Sequence, residues 1–578
     1  MKSVSSLLGV VLLSMLLGAC AQPGRLPVPA GADKATAEVP AVAGPRVEEE
    51  PLEPDVLYDI LVGEIAGQRR ALDTAVEHYL QAALASRDPR VAERALRSAL
   101  YAKDRASALR AARRWVEIDP QNARAHHELA GLELAVGNRD AALREFQYLL
   151  KQADDPRKGY RQVTAIAARV PDKARAVDVV GQLAAADPRE PEAQLAHARV
   201  AAAAERWDSA LASVGRALKL RPGWAEAIVL AATVEVKAGD REAALRRLRK
   251  AVDQHPRDTQ LRMAYARLLL DADDYEGARD AFARVIRLED DNVDARYALA
   301  LLETELGNLE QAERHFRKLI KLDERADEAR YYLGRIAEQK HERKEAARWY
   351  KQVGEGEYWL DAQVRLASLR ARAGDLEGGR ARLQQLRNRN PHIAVRLYLI
   401  EGEMLMRAGR YRAAMDMYNG LLEGDYPDNK DLLYARALVA EKLDDIALAE
   451  ADLRRVVEMD PDNAHAWNAL GYTLADRTDR VEEAYEYISK ALELAPREPA
   501  IVDSMGWVHY RLGNLDEAER YLRRAYELSH GDGEIGAHLG EVLWVKGDRA
   551  GARSIWEDAR RIDPDNPALI ETLERFGQ

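Results

Sequence analysis

Apolar residues recur along this chain at helical spacing in paired stretches, and the pairs return with a period of 34 residues. One unit shows the pattern. From Ala225 to Pro256 the sequence reads AEAIVLAATVEVKAGDREAALRRLRKAVDQHP, two helical stretches separated by the turn Gly239-Asp240. The closing proline stops the second stretch, because it lacks an N–H and biases the residue before it away from helix. The same marker stands at Pro120, Pro188 and Pro222, then at Pro461 and Pro564, which are three periods plus one inserted residue apart.

Two further markers keep phase with the proline. A small residue falls 24 positions before the marker site, at Ala130, Ala198, Ala232, Ala266, Ala300, Gly334, Ala437, Gly506 and Gly540. Another falls 12 positions before it, from Ala142 and Ala210 through to Ala518 and Ala552. Small residues at these places let two helices cross closely. A bulky residue follows four positions after the second small one, at Phe146, Leu248, Phe282, Phe316, Tyr350, Tyr418 and Trp556. It is expected to fill the space between neighbouring repeats. A fixed period of this length predicts an all-α solenoid of stacked helix–turn–helix units.

The segment Trp467 to Pro496, WNALGYTLADRTDRVEEAYEYISKALELAP, resembles a tetratricopeptide (TPR) repeat through Trp467, Leu470, Gly471, Ala484, Tyr487, Ala491 and Pro496. The resemblance covers roughly Leu57 to Pro564 and implies about 14 to 15 units wound into a superhelix. Two units depart from the pattern. The unit from Asp155 to Pro188 has Pro171 at the turn glycine, and the unit from Gly356 to Pro391 has Gly379 at the second small position. The predicted organisation is degenerate units over 55–119, a regular array over 120–564 and a capping segment over 565–578.

The amino terminus reads differently. Lys2 and the apolar stretch Val4 to Leu17 form a signal peptide over 1–19, too short to span a bilayer as a mature helix. Leu17-Gly18-Ala19-Cys20 resembles a bacterial lipobox, which implies cleavage before Cys20 and acylation of that residue. Cys20 is the single cysteine of the chain, so no thiol remains for a disulfide, a metal or a nucleophile. Three acyl chains would anchor the protein firmly, since each buried CH₂ adds ~0.8 kcal/mol. Ala21 after the cysteine, rather than aspartate, points by the lipoprotein sorting rule to the outer membrane with the array in the periplasm. Residues 20–54, rich in Pro, Ala, Gly and Glu, read as a disordered tether.

Chemistry is scarce. No phosphate-binding glycine loop, GxSxG elbow or HExxH is present, and no cofactor or metal is expected. His126-His127-Glu128 is the nearest to a cluster, but adjacent helical positions diverge by about 100°, so solvated or groove-lining roles are expected. His341 and Glu342 fall at an inter-helix turn, and Asp290-Asp291 and Asp444-Asp445 read as helix caps. The formal charge of −11 argues against nucleic acid, and the basic run Arg246-Arg247-Leu248-Arg249-Lys250 reads as a solvated helix face.

Binding is what remains. In such arrays the first helix of each unit lines a long groove that holds a protein segment. The register places Tyr434 and Glu441, then Asn468, Tyr472 and Asp476, then Asp503, Trp507, Tyr510 and Arg511, then Glu541 and Trp544 on that face. Aromatics flanked by charge have the composition of protein-binding hot spots.

A TPR array of this length behind a lipobox and a Pro/Ala tether resembles the outer-membrane TPR lipoproteins that serve as adaptors for a periplasmic carboxyl-terminal processing protease. The resemblance implies a non-catalytic scaffold that binds the protease and its substrates, among them peptidoglycan cross-link hydrolases. Two alternatives stand beside it. One is a scaffold of an envelope export or outer-membrane assembly complex, of exopolysaccharide or secretin type. The other is a peptidoglycan-associated enzyme or lectin, for which no acid–base pair is apparent.

Overall fold

The computed structural model describes residues 53–564 and 566–577. The signal segment, Cys20 and the tether up to residue 52 lie outside the described residues. Among the described residues are 31 α-helices, a three-residue 3-10 turn at Pro391–Ile393 and no strand. They run as 15 helix pairs, from Pro54–Gln68 with Leu72–Ala85 to Gly533–Lys546 with Arg549–Ile562, closed by the single helix Pro567–Phe576. The chain divides into two compact units between His315 and Phe316.

The proline marker has a local geometry. Second helices end two residues before it, and the intervening residue leaves the helical region. Asp119, Asp187, Arg221, His255, Asn390, Asp460, Ala495 and Asp563 all have φ between −125° and −140° and ψ between 67° and 84°. Glu289 takes φ −137° and ψ 89° although Asp290 follows it. Proline therefore reinforces a turn that the repeat makes by itself.

The turn inside each pair has its own fixed point, a left-handed residue about every 34 positions. Gly239 and Gly547 occupy it without steric cost, while Lys103, Glu205, Asp273, His341 and Asp444 occupy it with a Cβ. Pro171 falls on this site and cannot take positive φ. The chain there instead leaves Pro156–Arg169 through an extended Val170 (φ −75°, ψ 131°), and Asp172 caps the following helix. Thr478, in the unit with the insertion, is likewise extended.

Helix starts are capped by the residue types the turns supply. Asn122, Asn292, Asn463, Asp240, Asp445 and Asp548 each accept a hydrogen bond from a first-turn amide, worth about 1 kcal/mol apiece. Asp445 thus behaves as expected, whereas Asp290 pairs with Arg296 and leaves the cap to Asn292.

Packing fills in one expectation: bulky residues do reach the neighbouring helix pair, where the Phe316 and Tyr332 rings stack at 5.3 Å and Trp556 lies 5.7 Å from Phe576. In three units the bulky residue of the second helix also sits against the glycine 16 positions earlier in its own unit. A Cβ on Gly334 would meet the Tyr350 ring, one on Gly402 the Tyr418 hydroxyl, and one on Gly540 the Trp556 indole. Phe146, Phe282, Phe316, Tyr350, Tyr418 and Trp556 are all fully buried, each worth roughly 1.5–3 kcal/mol of apolar burial or more. Gly379 is likewise no loose substitute for alanine, since a Cβ there would stand 2.7 Å from the Ala367 carbonyl oxygen and 2.7 Å from Met404 Cε.

Candidate functional site

In the second unit, the first helices Lys430–Lys442, Ala464–Arg477, Pro499–Arg511 and Gly533–Lys546 bring repeated positions onto one inner face. Side chains two repeats apart meet there: the Tyr472 and His538 ring centroids are 6.4 Å apart. Contact over that separation requires the face to be concave.

The floor of this groove is aromatic. His538 stacks on Trp507 with centroids 4.3 Å apart, and Trp507 packs beside Tyr510 at 5.1 Å. Both His538 and Trp507 are buried. The Trp507 indole donates to Asp476 Oδ1 at 3.3 Å. His538 Nδ1 lies 2.9 and 3.1 Å from the two carboxylate oxygens of Asp503, itself buried. Burial alone would lower the pKa of this imidazole. The charge and hydrogen bond of Asp503, aided by Glu534 and Glu541, outweigh it and raise the pKa.

Carboxylates line the walls. Burial, followed by the fields of Asp476, Asp503, Glu534 and Glu441, holds the Tyr472 phenol well above its ordinary value. Burial and then the Glu441 field do the same to Tyr434. The Tyr510 hydroxyl donates to Glu541 at 3.1 Å, and burial with that carboxylate pushes it up to about 12. Glu534 is open to solvent, yet the protein around it raises its carboxyl, with Asp503 and Asp532 adding and His538 and Lys442 opposing.

The expected groove residues therefore divide. Tyr472, Asp503, Trp507 and Tyr510 are brought together. Tyr434 and Asn468 lie half-buried on neighbouring first helices, and Asn468 Oδ1 has neither solvent access nor a hydrogen-bond partner. Arg511 is committed to the protein, donating to the carbonyls of Ala475, Asp476 (3.2 Å) and Thr478 (3.3 Å). Trp544 joins the carboxyl-terminal cap: its ring lies 5.7 Å from Trp556 and 5.8 Å from Phe576. Cys20 lies outside the described residues.

His538, Glu534 and Arg575 were not on the sequence-derived face. A signal for His538 existed, since it stands about one repeat (35 residues) beyond Asp503. Arg575 arrives from the cap to pair with Glu541.

The other sequence candidates resolve as structure. His126 is buried, not solvated: it pairs with Glu145, reaches the Pro120 carbonyl at 3.0 Å and stacks on Tyr148 at 3.6 Å. His127 hydrogen-bonds Gln162 of the next first helix at 3.0 Å. In the basic run, Leu248 is buried and Arg247 pairs with Glu235 at 2.5 Å, so only part of that face is solvated.

Comparison with known proteins places this geometry. Two family models, each described as tetratricopeptide repeat, match residues 201–268, 235–302 and 269–333, and residues 364–430, 434–499 and 504–567. TPR repeat-containing protein PA4667 of Pseudomonas aeruginosa is 47% identical over 205 residues, 35% of this chain and 34% of its own length. Protein O-mannosyl-transferase TMTC1 of Homo sapiens is 24% identical over 182 residues, 30% of this chain and 20% of its own. The matched part thus spans about a third of the one relative and a fifth of the other. Among solved structures, the crystal structure of the APC/C hetero-tetramer Cut9-Hcn1 aligns over 90% of this chain and 96% of that chain, with 13% identity and a TM-score of 0.33. With repeat matches extending over more than half of its residues, the chain belongs to the tetratricopeptide-repeat family.

Proposed function

We propose that this protein is a non-catalytic scaffold that holds protein segments in the groove of its first helices. The observation that carries this reading is the groove of the second unit. There an aromatic floor of Tyr472, Trp507 and Tyr510 lies under carboxylate walls, with Glu534 open to solvent. Rings beside charge on rigid helices are suited to gripping a peptide at low entropic cost.

The same reading extends to place and partners. Leu17-Gly18-Ala19-Cys20 supports lipid anchoring at Cys20 in the outer membrane, with the array in the periplasm. Resemblance to the protease-adaptor lipoproteins supports a periplasmic carboxyl-terminal processing protease and its cell-wall hydrolase substrates as partners. Tethering both on one array would raise their effective concentration and promote proteolysis without any catalytic group of its own.

The test is in-cell crosslinking of the tagged full chain, followed by purification and mass spectrometry, with radiolabelled palmitate to follow Cys20. Recovery of the protease with cell-wall hydrolases is expected. Recovery of an outer-membrane barrel or secretion components would instead make the protein an export scaffold. Hydrolysis of peptidoglycan or casein by the purified chain alone would overturn the non-catalytic reading.

A further inference from the structure

The groove of the second unit carries more than a general affinity for protein. We propose that it seats a lysine or arginine side chain of the bound segment beside the Tyr472 ring, among the carboxylates of Glu441, Asp476 and Glu534. The inference rests on the scaffold reading and adds the chemistry of what is held.

Charge accounting leads to it. Of the cations native to this face, Arg511 is used on helix-end carbonyls, Arg575 on Glu541 and His538 on Asp503, and Lys442 makes only its contact with Glu441. Three carboxylates remain without a full counter-charge. Asp476 accepts only the neutral indole of Trp507. Glu441 has the long, exposed Lys442 contact at 3.4 Å. Glu534 forms no ion pair within 4.0 Å among the described residues, and its nearest compensating fields are those of His538 and Lys442.

The surroundings select the kind of cation. No three of the His, Cys, Asp and Glu side chains among the described residues are placed to hold a metal ion, and these carboxylates stand on three different first helices, spread over the concave space between them. An elongated organic cation fits such a space, with its stem along the aromatic floor and its head among the oxygens. A concave wall of protein also strengthens the carboxylate field beyond its strength in open water.

The test uses the full chain and two short fluorescent peptides, one alternating lysine with serine and one alternating glutamate with serine. Anisotropy should report salt-sensitive binding of the lysine peptide alone, weakened about tenfold in the E441Q/E534Q variant. The outer-face variant E483Q should bind like the wild type. Carbodiimide crosslinking should join the lysine peptide to Glu441 or Glu534. Helical circular dichroism of E441Q/E534Q, both partly solvated positions, checks that the variant is folded. Equal binding of both peptides, or no effect of E441Q/E534Q in the folded variant, overturns the inference. If the lysine peptide fails while wild type and variant retain the same envelope partner, the scaffold reading stands without the cation site. If the wild type retains no envelope partner, the scaffold reading falls with it.

Discussion

Both carboxylate oxygens of Asp503 face Nδ1 of His538, at 3.1 and 2.9 Å, across one repeat of the solenoid. The two side chains are buried and belong to successive first helices, Pro499–Arg511 and Gly533–Lys546. The contact therefore ties the spacing of two units to the protonation of one imidazole.

That tie gives a pH dependence with a definite sign. Burial opposes the imidazolium, but Asp503, then Glu534 and Glu541, raise its pKa above the ordinary 6.5. Stability from this pair is fully present below that ordinary value and is lost as pH rises through the raised one. The difference in melting temperature between wild type and H538Q should be largest near pH 6 and shrink toward pH 9. Replacing Asp503 with alanine leaves a buried partner unpaired and should cost on the order of 3 kcal/mol in the second unit.

Glu483 should show the opposite sign. Hydrogen bonds from Tyr487 (2.8 Å), Arg480 (2.6 Å) and Arg454 (2.6 Å) lower its carboxyl from 4.5 to about 2. Its contribution is present above pH 4.5 and is lost as pH falls through about 2. Carbon-detected NMR should find the Glu483 carboxyl ionised at pH 3. A midpoint near the ordinary glutamate value would refute the network.

Two glycine-to-alanine changes should move stability in opposite directions. A Cβ on Gly471 would stand 2.6 Å from Ile488 Cγ1 and 3.0 Å from the Ala484 carbonyl, against backbone that cannot yield. Gly215, inside helix Trp207–Leu220, has nothing within 4 Å. G471A should cost roughly 1–3 kcal/mol by overpacking. G215A should gain up to about 1 kcal/mol from helix propensity. Urea unfolding followed by circular dichroism measures both.

Arg511 closes the helix Ala464–Arg477 by donating to its terminal carbonyls. Removing it in R511A leaves those acceptors without a charged donor and should destabilise that helix end by about 2 kcal/mol. Limited proteolysis should then cut near Thr478 sooner than in the wild type, while R511K, which lacks the planar fork, should recover only part of the protection.

The period and its markers were legible in the sequence because each acts locally. A proline fixes its own φ and constrains the residue before it, and asparagine or aspartate caps the helix it precedes. Even the irregular Pro171 turn could be located, since no proline can take the left-handed site that Lys103 and Glu205 occupy. The groove was legible only in part. Helical register named Tyr472, Asp503, Trp507 and Tyr510, because one face of one helix is a matter of spacing.

What the sequence by itself determined is thus the helix pair, its turns and the face each first helix presents. The tertiary structure alone decided how those faces meet. Curvature of the stack brings His538 onto Trp507 and the field of Glu534 onto Tyr472, two repeats away. It sends Trp544 into the cap beside Phe576 and seats Tyr350, Tyr418 and Trp556 on the glycines of their own units. Spacing along a helix is set by covalent geometry, whereas the approach of one unit to the next is set by the packing of every side chain between them.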